Sequence, residues 1–260
     1  MLKVLSIFFI LLPAAISAST SCQLSIQAQH YPPRFIKQQN TDGKVYWQGF
    51  NAELFHLLAK NSGCEANYIE VPWGRALQLL ASGELDAMSN MSHNPERDSY
   101  AYFVGPHQQE RILVLSNSPG ANLVKDLSAL LQSGQAISVM QGIYYGEQFE
   151  QALARDPDWS KRLIYVSSSQ QKLDLFIAGR VQFTFEDSLN LQQLYLEGVL
   201  NPQQHKLAFT LHQNSVYFAF SKQSVTLPQL RQLQQAWQKI TADGSLDKLK
   251  NQYFPDGQNQ

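Results

Sequence analysis

Charge and cysteine are both scarce in this chain of 260 residues. Asp, Glu, Lys and Arg together make up 16% of it, and 20 basic against 21 acidic residues leave a formal net charge of -1. That balance offers no positive field to hold a polyphosphate, so nucleic acid is excluded as an expected partner. Two cysteines alone make a poor metal site, and the six histidines, among them His30, His93 and His107, show no ligand spacing. No metal and no cofactor is therefore expected. There is no nucleophile–base pattern for hydrolysis or redox chemistry. The chain also lacks a solenoid repeat and a low-complexity linker. With 44% hydrophobic residues, 14 Gly and 11 Pro, it is neither disordered, collagen-like nor coiled coil. What is left is a globular chain, long enough for two modest domains or one large α/β domain.

The single long apolar run lies at the start. Lys3 supplies a positive charge, Val4 to Leu12 are apolar except for Ser6, and Pro13 precedes the small residues Ala14, Ala15, Ser17 and Ala18. This pattern predicts a cleavable signal peptide over residues 1–18, too short to span a bilayer as a stable helix, and hence export to the periplasm. An uncleaved N-terminal anchor is the alternative. Cys22 and Cys64 both lie in the exported part, where an even pair reads as a disulfide. Each opens a strand-like run with a helix between them. In a βαβ unit two neighbouring parallel strands begin at the same sheet edge, so the pair can meet there.

Hydrophobic periodicity gives an alternation of strands and helices. Leu24 to Ala28, Tyr68 to Val71 and Leu85 to Ser89 read as strands. Asn51 to Asn61, with Asn51 as its expected N-cap, and Arg75 to Ser82 read as helices stopped by Gly63 and Gly83. A second block repeats the theme. Its strands are Ile137 to Met140, Leu163 to Val166 and Val181 to Phe185, and its helices Glu147 to Arg155 and Gln170 to Ala178. Val216 to Phe220 is strand-like, Pro228 to Ala242 is a long amphipathic helix ended by Gly244, and a short helix follows. This order predicts two doubly wound α/β lobes.

In open α/β sheets ligands bind outside the carboxyl ends of the strands. The residues there are Tyr31-Pro32-Pro33, Pro72-Trp73, Asn90-Met91-Ser92, Gln141-Gly142 and Glu186-Asp187, with Arg97 close behind the third group. An arginine, an acid and aromatic walls suit a small zwitterion: guanidinium to carboxylate, carboxylate to ammonium, ring faces to the rest.

Several segments, in order, resemble one family. Tyr31-Pro32-Pro33, Gly49-Phe50-Asn51-Ala52-Glu53-Leu54, Gly83-Glu84-Leu85-Asp86-Ala87 and Asn94-Pro95-Glu96-Arg97 are similar to motifs of the bacterial extracellular solute-binding proteins of family 3. These are the periplasmic receptors of polar amino-acid ABC importers. Gln141-Gly142, Gly179-Arg180-Val181 with Asp187 beyond, and Ala242-Asp243-Gly244 agree. The resemblance implies a receptor of the type II periplasmic-binding-protein class, with two lobes that close around the ligand. Residues 19–109 and 215–260 would form lobe 1 and 110–214 lobe 2, with hinge crossings near Gln108 to Arg111 and Gln213 to Val216. It implies that Arg97 grips a ligand carboxylate with help from Asn90 and Ser92, that Asp187 takes the α-ammonium, and that Tyr31 and Trp73 stack on the side chain. Where the family often has two threonines, Ile143-Tyr144 stand here, which puts Tyr144 on the lobe-2 wall without small hydroxyl donors. Asn94 replaces a usual threonine and Gln182 a usual aspartate.

Blander roles compete for the same residues. Asp187 or Ser188 would serve equally as N-cap of a helix from Leu189, Arg97 as a surface ion-pair partner of Glu96 or Asp98, and Trp73 as core filling. Tyr31 would shape a turn, and Asn90 and Ser92 would bond local backbone. The expected function is capture of a small polar solute, an amino acid or related zwitterion, by a monomeric receptor that delivers it to an inner-membrane ABC permease. Two alternatives share the cleft. One is a sensory protein without transport. The other is an enzyme resembling the periplasmic cyclohexadienyl dehydratases, with Glu186 or Glu110 as the acid that promotes elimination.

Overall fold

A computed structural model describes residues 22–117 and 124–254. The signal-peptide expectation over 1–18 lies outside them. Ten strands are described: β1 (Cys22–Ala28), β2 (Ile36–Gln39), β3 (Val45–Gln48), β4 (Cys64–Glu70), β5 (Ala87–Ser92), β6 (Ala101–Ser116), β7 (Ile137–Met140), β8 (Leu163–Val166), β9 (Phe183–Asp187) and β10 (Lys206–Ser221). The helices are α1 (Phe50–Asn61), α2 (Trp73–Ser82), α3 (Pro95–Asp98), α4 (Leu127–Gln132), α5 (Glu147–Arg155), α6 (Ser169–Ile177), α7 (Ser188–Leu196), α8 (Leu227–Ala242) and α9 (Ser245–Tyr253). Eight strands form one mixed sheet in the order β4-β1-β5-β10-β6-β9-β7-β8, and β2 pairs with β3 in a separate hairpin.

The sheet has two halves of the same design. β4, β1 and β5 are parallel, with antiparallel β10 beside them; β8, β7 and β9 are parallel, with antiparallel β6 beside them. Strand alternation feeds a separate core on each face. In the first half Ala87 joins Ile26, Phe55 and Ile240, whereas its neighbour Met88 joins Ala76 and Leu80. In the second half Val114 joins Phe149 and Phe185, whereas Leu113 and Leu115 join Phe176 and Leu194. Helices thus cover both faces of each half, the two doubly wound units expected from the strand–helix alternation. Full burial of each large apolar side chain contributes roughly 1.5–3 kcal/mol, so each half holds a core of its own.

β6 and β10 join the halves as an antiparallel pair, and each runs for 16 residues. The segments expected to cross between lobes lie opposite one another in this pair: Gln108 faces Val216 and Arg111 faces Gln213. The sequence expectation covers only Val216 to Phe220 of this strand, although Leu207, Phe209 and Leu211 also alternate before the polar stretch His212 to Ser215.

Three local differences matter for the site. Gly49, not Asn51, caps α1; Asn51 is buried inside the helix and donates to Ser89 and Asn90. β5 extends to Ser92, which places Asn90 and Ser92 on the strand itself. β9 ends at Asp187, later than the expected Phe185. The Cys22–Cys64 disulfide is present: the two residues are direct partners in the β1–β4 register, with Cα atoms 4.4 Å apart.

Candidate functional site

A cleft opens at the carboxyl ends of β1, β4, β5, β7 and β9, and all seven residues expected to contact a ligand line it: Tyr31, Trp73, Asn90, Ser92, Arg97, Tyr144 and Asp187. Arg97 reaches it from α3, a single turn begun by Pro95 and capped by the Asn94 side chain, which accepts from the Arg97 backbone N–H at 2.8 Å. Asn94 therefore does the capping work of the threonine it replaces. The Arg97 guanidinium is buried and donates to the Ser92 carbonyl at 2.9 Å and the Gly142 carbonyl at 3.1 Å. Burial lowers its pKa from the usual arginine value, because desolvation penalises the charged form and no acid is bonded to it. The surface-arginine alternative is thereby ruled out.

Gly142 is a meeting point. Its carbonyl also accepts from the Trp73 indole N–H at 3.2 Å, so both residues of the first half touch the loop after β7. Its φ of 78° lies in the left-handed region that favours glycine, and an added Cβ would displace the end of the Leu77 side chain on α2. Gly49 is similarly placed against the segment after β1: at φ 105° an added Cβ would lie 2.5 Å from the Arg34 carbonyl oxygen. Asn90 holds a left-handed φ of 53° and accepts from Asn51, which turns the end of β5 at the cleft. Asparagine tolerates this conformation better than a bulky residue would. The Tyr144 ring meets His212 edge to face at 5.5 Å between centroids.

The acids of the second half are already engaged. Asp187 Oδ1 accepts from Arg34 Nη1 at 2.8 Å and from the Leu189 and Asn190 N–H groups at 3.0 and 3.2 Å, so Asp187 is both the N-cap of α7 and an ion-pair partner. Burial opposes the charge on Arg34, but Asp187, Tyr31 and Glu110 together outweigh it and raise the guanidinium pKa. Glu186 lies 3.0 Å from Lys172 Nζ and accepts from the Tyr31 hydroxyl at 2.9 Å. Burial, then the Glu186 charge, pushes the Tyr31 phenol well up, which keeps it a neutral donor. Glu110 also lines the cleft, from β6, and burial followed by the Asp187 charge raises its carboxyl to about 7. Arg34 and Lys172 escaped the sequence reading. Arg34 directly follows Tyr31-Pro32-Pro33 and carried a positional signal; Lys172, inside α6, carried none.

The bonds Tyr31–Glu186, Arg34–Asp187, Trp73–Gly142 and Arg97–Gly142 all join one half of the sheet to the other across this cleft. Chemically, the arrangement has donors for an anion, acids for a cation and aromatic walls. Among the described residues there is no cluster of His, Cys, Asp and Glu that would hold a metal ion.

Comparison with known proteins agrees with this geometry. The family model described as bacterial extracellular solute-binding proteins, family 3, matches residues 24–256. The histidine-binding periplasmic protein of Escherichia coli (strain K12) is 22% identical over 229 residues, covering 84% of this chain and 83% of that protein. Among solved structures, a histidine kinase sensor domain with similarity to periplasmic binding proteins superposes with a TM-score of 0.73 at 17% identity, covering 90% of this chain and 96% of that one. The ancestral amino acid-binding protein AncCDT-1, a precursor of cyclohexadienyl dehydratase, superposes with a TM-score of 0.68 at 20% identity, covering 89% and 95%. These structural likenesses establish the two-lobed periplasmic-binding-protein fold.

Proposed function

The chain belongs to the bacterial extracellular solute-binding proteins, family 3, and from that premise we propose that it is a periplasmic receptor for an amino acid or a closely related zwitterion. The observation that carries this reading is the buried Arg97 guanidinium, fixed by two carbonyls and facing a cleft with aromatic walls. A carboxylate placed there gains charge-assisted hydrogen bonds from a donor whose orientation is already set, so little ordering cost remains. Asn90 and Ser92 flank that carboxylate, Tyr31, Trp73 and Tyr144 wall the side chain, and Asp187 closes the cleft from the second half. Lobe 1 comprises residues 19–109 and 215–260 and lobe 2 residues 110–214, and the β6–β10 crossings near Gln108 and Gln213 act as the hinge. Residues 1–18 direct export, and an inner-membrane ABC permease receives the solute from a monomer.

A thermal-shift screen of the exported chain with amino acids, polyamines, small carboxylic acids and short peptides tests the reading. A solute at a hundredfold its dissociation constant raises stability by about 2.7 kcal/mol. Stabilisation by polyamines alone, or by none of the panel, defeats it. Glu110 supports a second reading: a carboxyl near 7 is suited to proton donation, as in an elimination enzyme of the dehydratase kind. Product analysis after incubation with prephenate or arogenate separates catalyst from receptor. A permease or a sensor kinase encoded beside the gene separates transport from signalling.

A further inference from the structure

Six ionisable side chains bearing formal charge line the cleft: Arg34, Arg97 and Lys172 against Glu110, Glu186 and Asp187. Four of them pair with one another within the protein, although Arg34 Nε and Nη2 and Asp187 Oδ2 make no hydrogen bond among the described residues. Arg34 and Asp187 pair at 2.8 Å and Lys172 and Glu186 at 3.0 Å, all four nearly devoid of solvent. Arg97 is held by backbone carbonyls rather than by an acid. Among the described residues no ion pair and no side-chain hydrogen bond engages the Glu110 carboxyl. Among the described residues one cation and one acid are therefore left facing the same cleft without a bonded counter-charge, which is the electrostatic outline of a zwitterion.

We propose that Glu110, rather than Asp187, receives the ammonium group of the bound solute, whose carboxylate lies on Arg97. The proposal rests on the receptor reading above and refines its ligand subsite. Strand geometry supports it. Glu110 and Ile112 are two residues apart on β6, so their side chains leave the same face, and both line the cleft. Ile112 is the direct register partner of Asp187 on β9. Moving the ammonium from Asp187 to Glu110 thus shifts it by about one two-residue strand repeat, roughly 7 Å. At Glu110 β6 pairs with β10, opposite Asn214, and β9 joins from Ile112 onward, so the carboxyl is carried on a paired strand at the crossing between the two halves. Arg34 already occupies Asp187 Oδ1, and an ammonium at Asp187 would have to share that acid with a buried guanidinium, a like-charge contact in a site of low polarity.

A pH dependence follows. The groups acting on Glu110 are Asp187 and Glu186 from β9 and Arg34 and Arg97 from the first half; Tyr145, Lys172 and His30 line the same cleft. In the empty cleft the net result holds its carboxyl near 7. An ammonium beside it favours the charged form, so binding below pH 7 must expel a proton. Affinity for the zwitterion then falls toward acid, by up to about tenfold per pH unit.

Calorimetric titration decides the matter. The wild-type exported chain is titrated with each of the twenty common L-amino acids, and the tightest binder is compared with its des-amino carboxylic acid, for wild type, E110Q and D187N, at pH 5.5, 6.5 and 7.5. The expected result is a wild-type preference of at least tenfold for the amino acid at pH 7.5. In E110Q that preference shrinks at least tenfold and the affinity of the amino acid no longer varies with pH. E110D, which retains the charge, restores part of both. If E110Q keeps the wild-type preference and pH profile while D187N loses them, the ammonium sits on Asp187 and this inference fails with the receptor reading intact. If the des-amino acid binds wild type as tightly as the amino acid, no ammonium subsite exists and the inference also fails. If no amino acid binds wild type at millimolar concentration, the receptor reading falls and this inference with it.

Discussion

Arg34 and Asp187, 153 positions apart in the chain, meet at 2.8 Å with 1% and 3% of their side chains exposed. The pair joins the segment after β1 to the end of β9, and so spans the cleft. An acid matched by family resemblance to a ligand ammonium is here occupied by the protein's own guanidinium. This gives the empty cleft an internal counter-charge, and it leaves two Arg34 donors, Nε and Nη2, and Asp187 Oδ2 without bonds among the described residues.

Breaking that pair from one side should be costly. Arg34→Ala leaves Asp187 buried without its cation, and about 3–5 kcal/mol of stability is lost. Urea unfolding of Arg34→Ala, Asp187→Ala and the double variant forms a cycle in which the double variant is destabilised less than the sum of the singles. Strict additivity would show that the two residues do not stabilise one another.

The same substitution should loosen closure. The bonds from Arg34, Tyr31, Trp73 and Arg97 run between the two halves of the protein itself. Small-angle scattering of empty Arg34→Ala is expected to give a larger radius of gyration than empty wild type, with contraction on addition of a saturating amino acid found by the screen. Identical scattering curves for the two empty proteins would mean that Arg34 does not hold the cleft shut.

Arg97→Ala should abolish most affinity for a carboxylate while the fold persists, since α3 is a surface turn whose cap is a neighbouring side chain. Loss of a buried charged partner costs about 2–5 kcal/mol of binding, more than tenfold in Kd. Unchanged affinity in a titration of the folded variant removes the carboxylate clamp.

The disulfide closes a loop with a sequence separation of 42. On the chain-entropy argument, its removal lowers stability by about 4 kcal/mol without abolishing the fold, because each half keeps its own core. Intact mass of the periplasmic protein after alkylation checks the bridge first; two alkylated thiols would refute it. Denaturant unfolding of the Cys22→Ala/Cys64→Ala double variant then gives the magnitude.

His107 predicts an acid weakness. It is buried against Phe218 and accepts from the Asn90 N–H, and burial, reinforced by Arg34 and Lys250, lowers its pKa to about 3. The unfolded chain takes up this proton near pH 6.5 and the folded one only near 3. Stability from neutral His107 is therefore complete above 6.5 and is lost as pH falls toward 3, by up to about 1.4 kcal/mol per unit. His107→Gln should flatten the dependence between pH 6 and 4 in denaturant melts; an unchanged slope assigns the acid sensitivity elsewhere.

The alternation of strand-like and helical runs with Gly stops was enough to predict two doubly wound units, because strand and helix periods are written locally. The cysteine pair was equally legible: each cysteine opens a strand, and parallel neighbours begin at one edge. The strand-end rule brought Tyr31, Trp73, Asn90, Ser92, Arg97 and Asp187 to one region, the family resemblance added Tyr144, and the structure has all seven lining one cleft.

What the sequence could not carry is which charge answers which. Arg34 is a lone arginine after two prolines, Lys172 one lysine in a polar helix, Glu110 one acid in a strand with no regular period. Arg34 finds its partner in the other half of the sheet and Lys172 finds Glu186 on a strand packed beside its helix, so no regular spacing along the chain records either pair. Only the antiparallel docking of β6 and β10, with β9 beside them, brings Arg34 onto Asp187 and leaves Glu110 and Arg97 facing the cleft. Composition and periodicity determined the scaffold, since backbone hydrogen bonding and burial act over a few residues at a time. Tertiary structure decided the electrostatics of the cleft, since Coulomb interactions depend on distance in space and not along the chain.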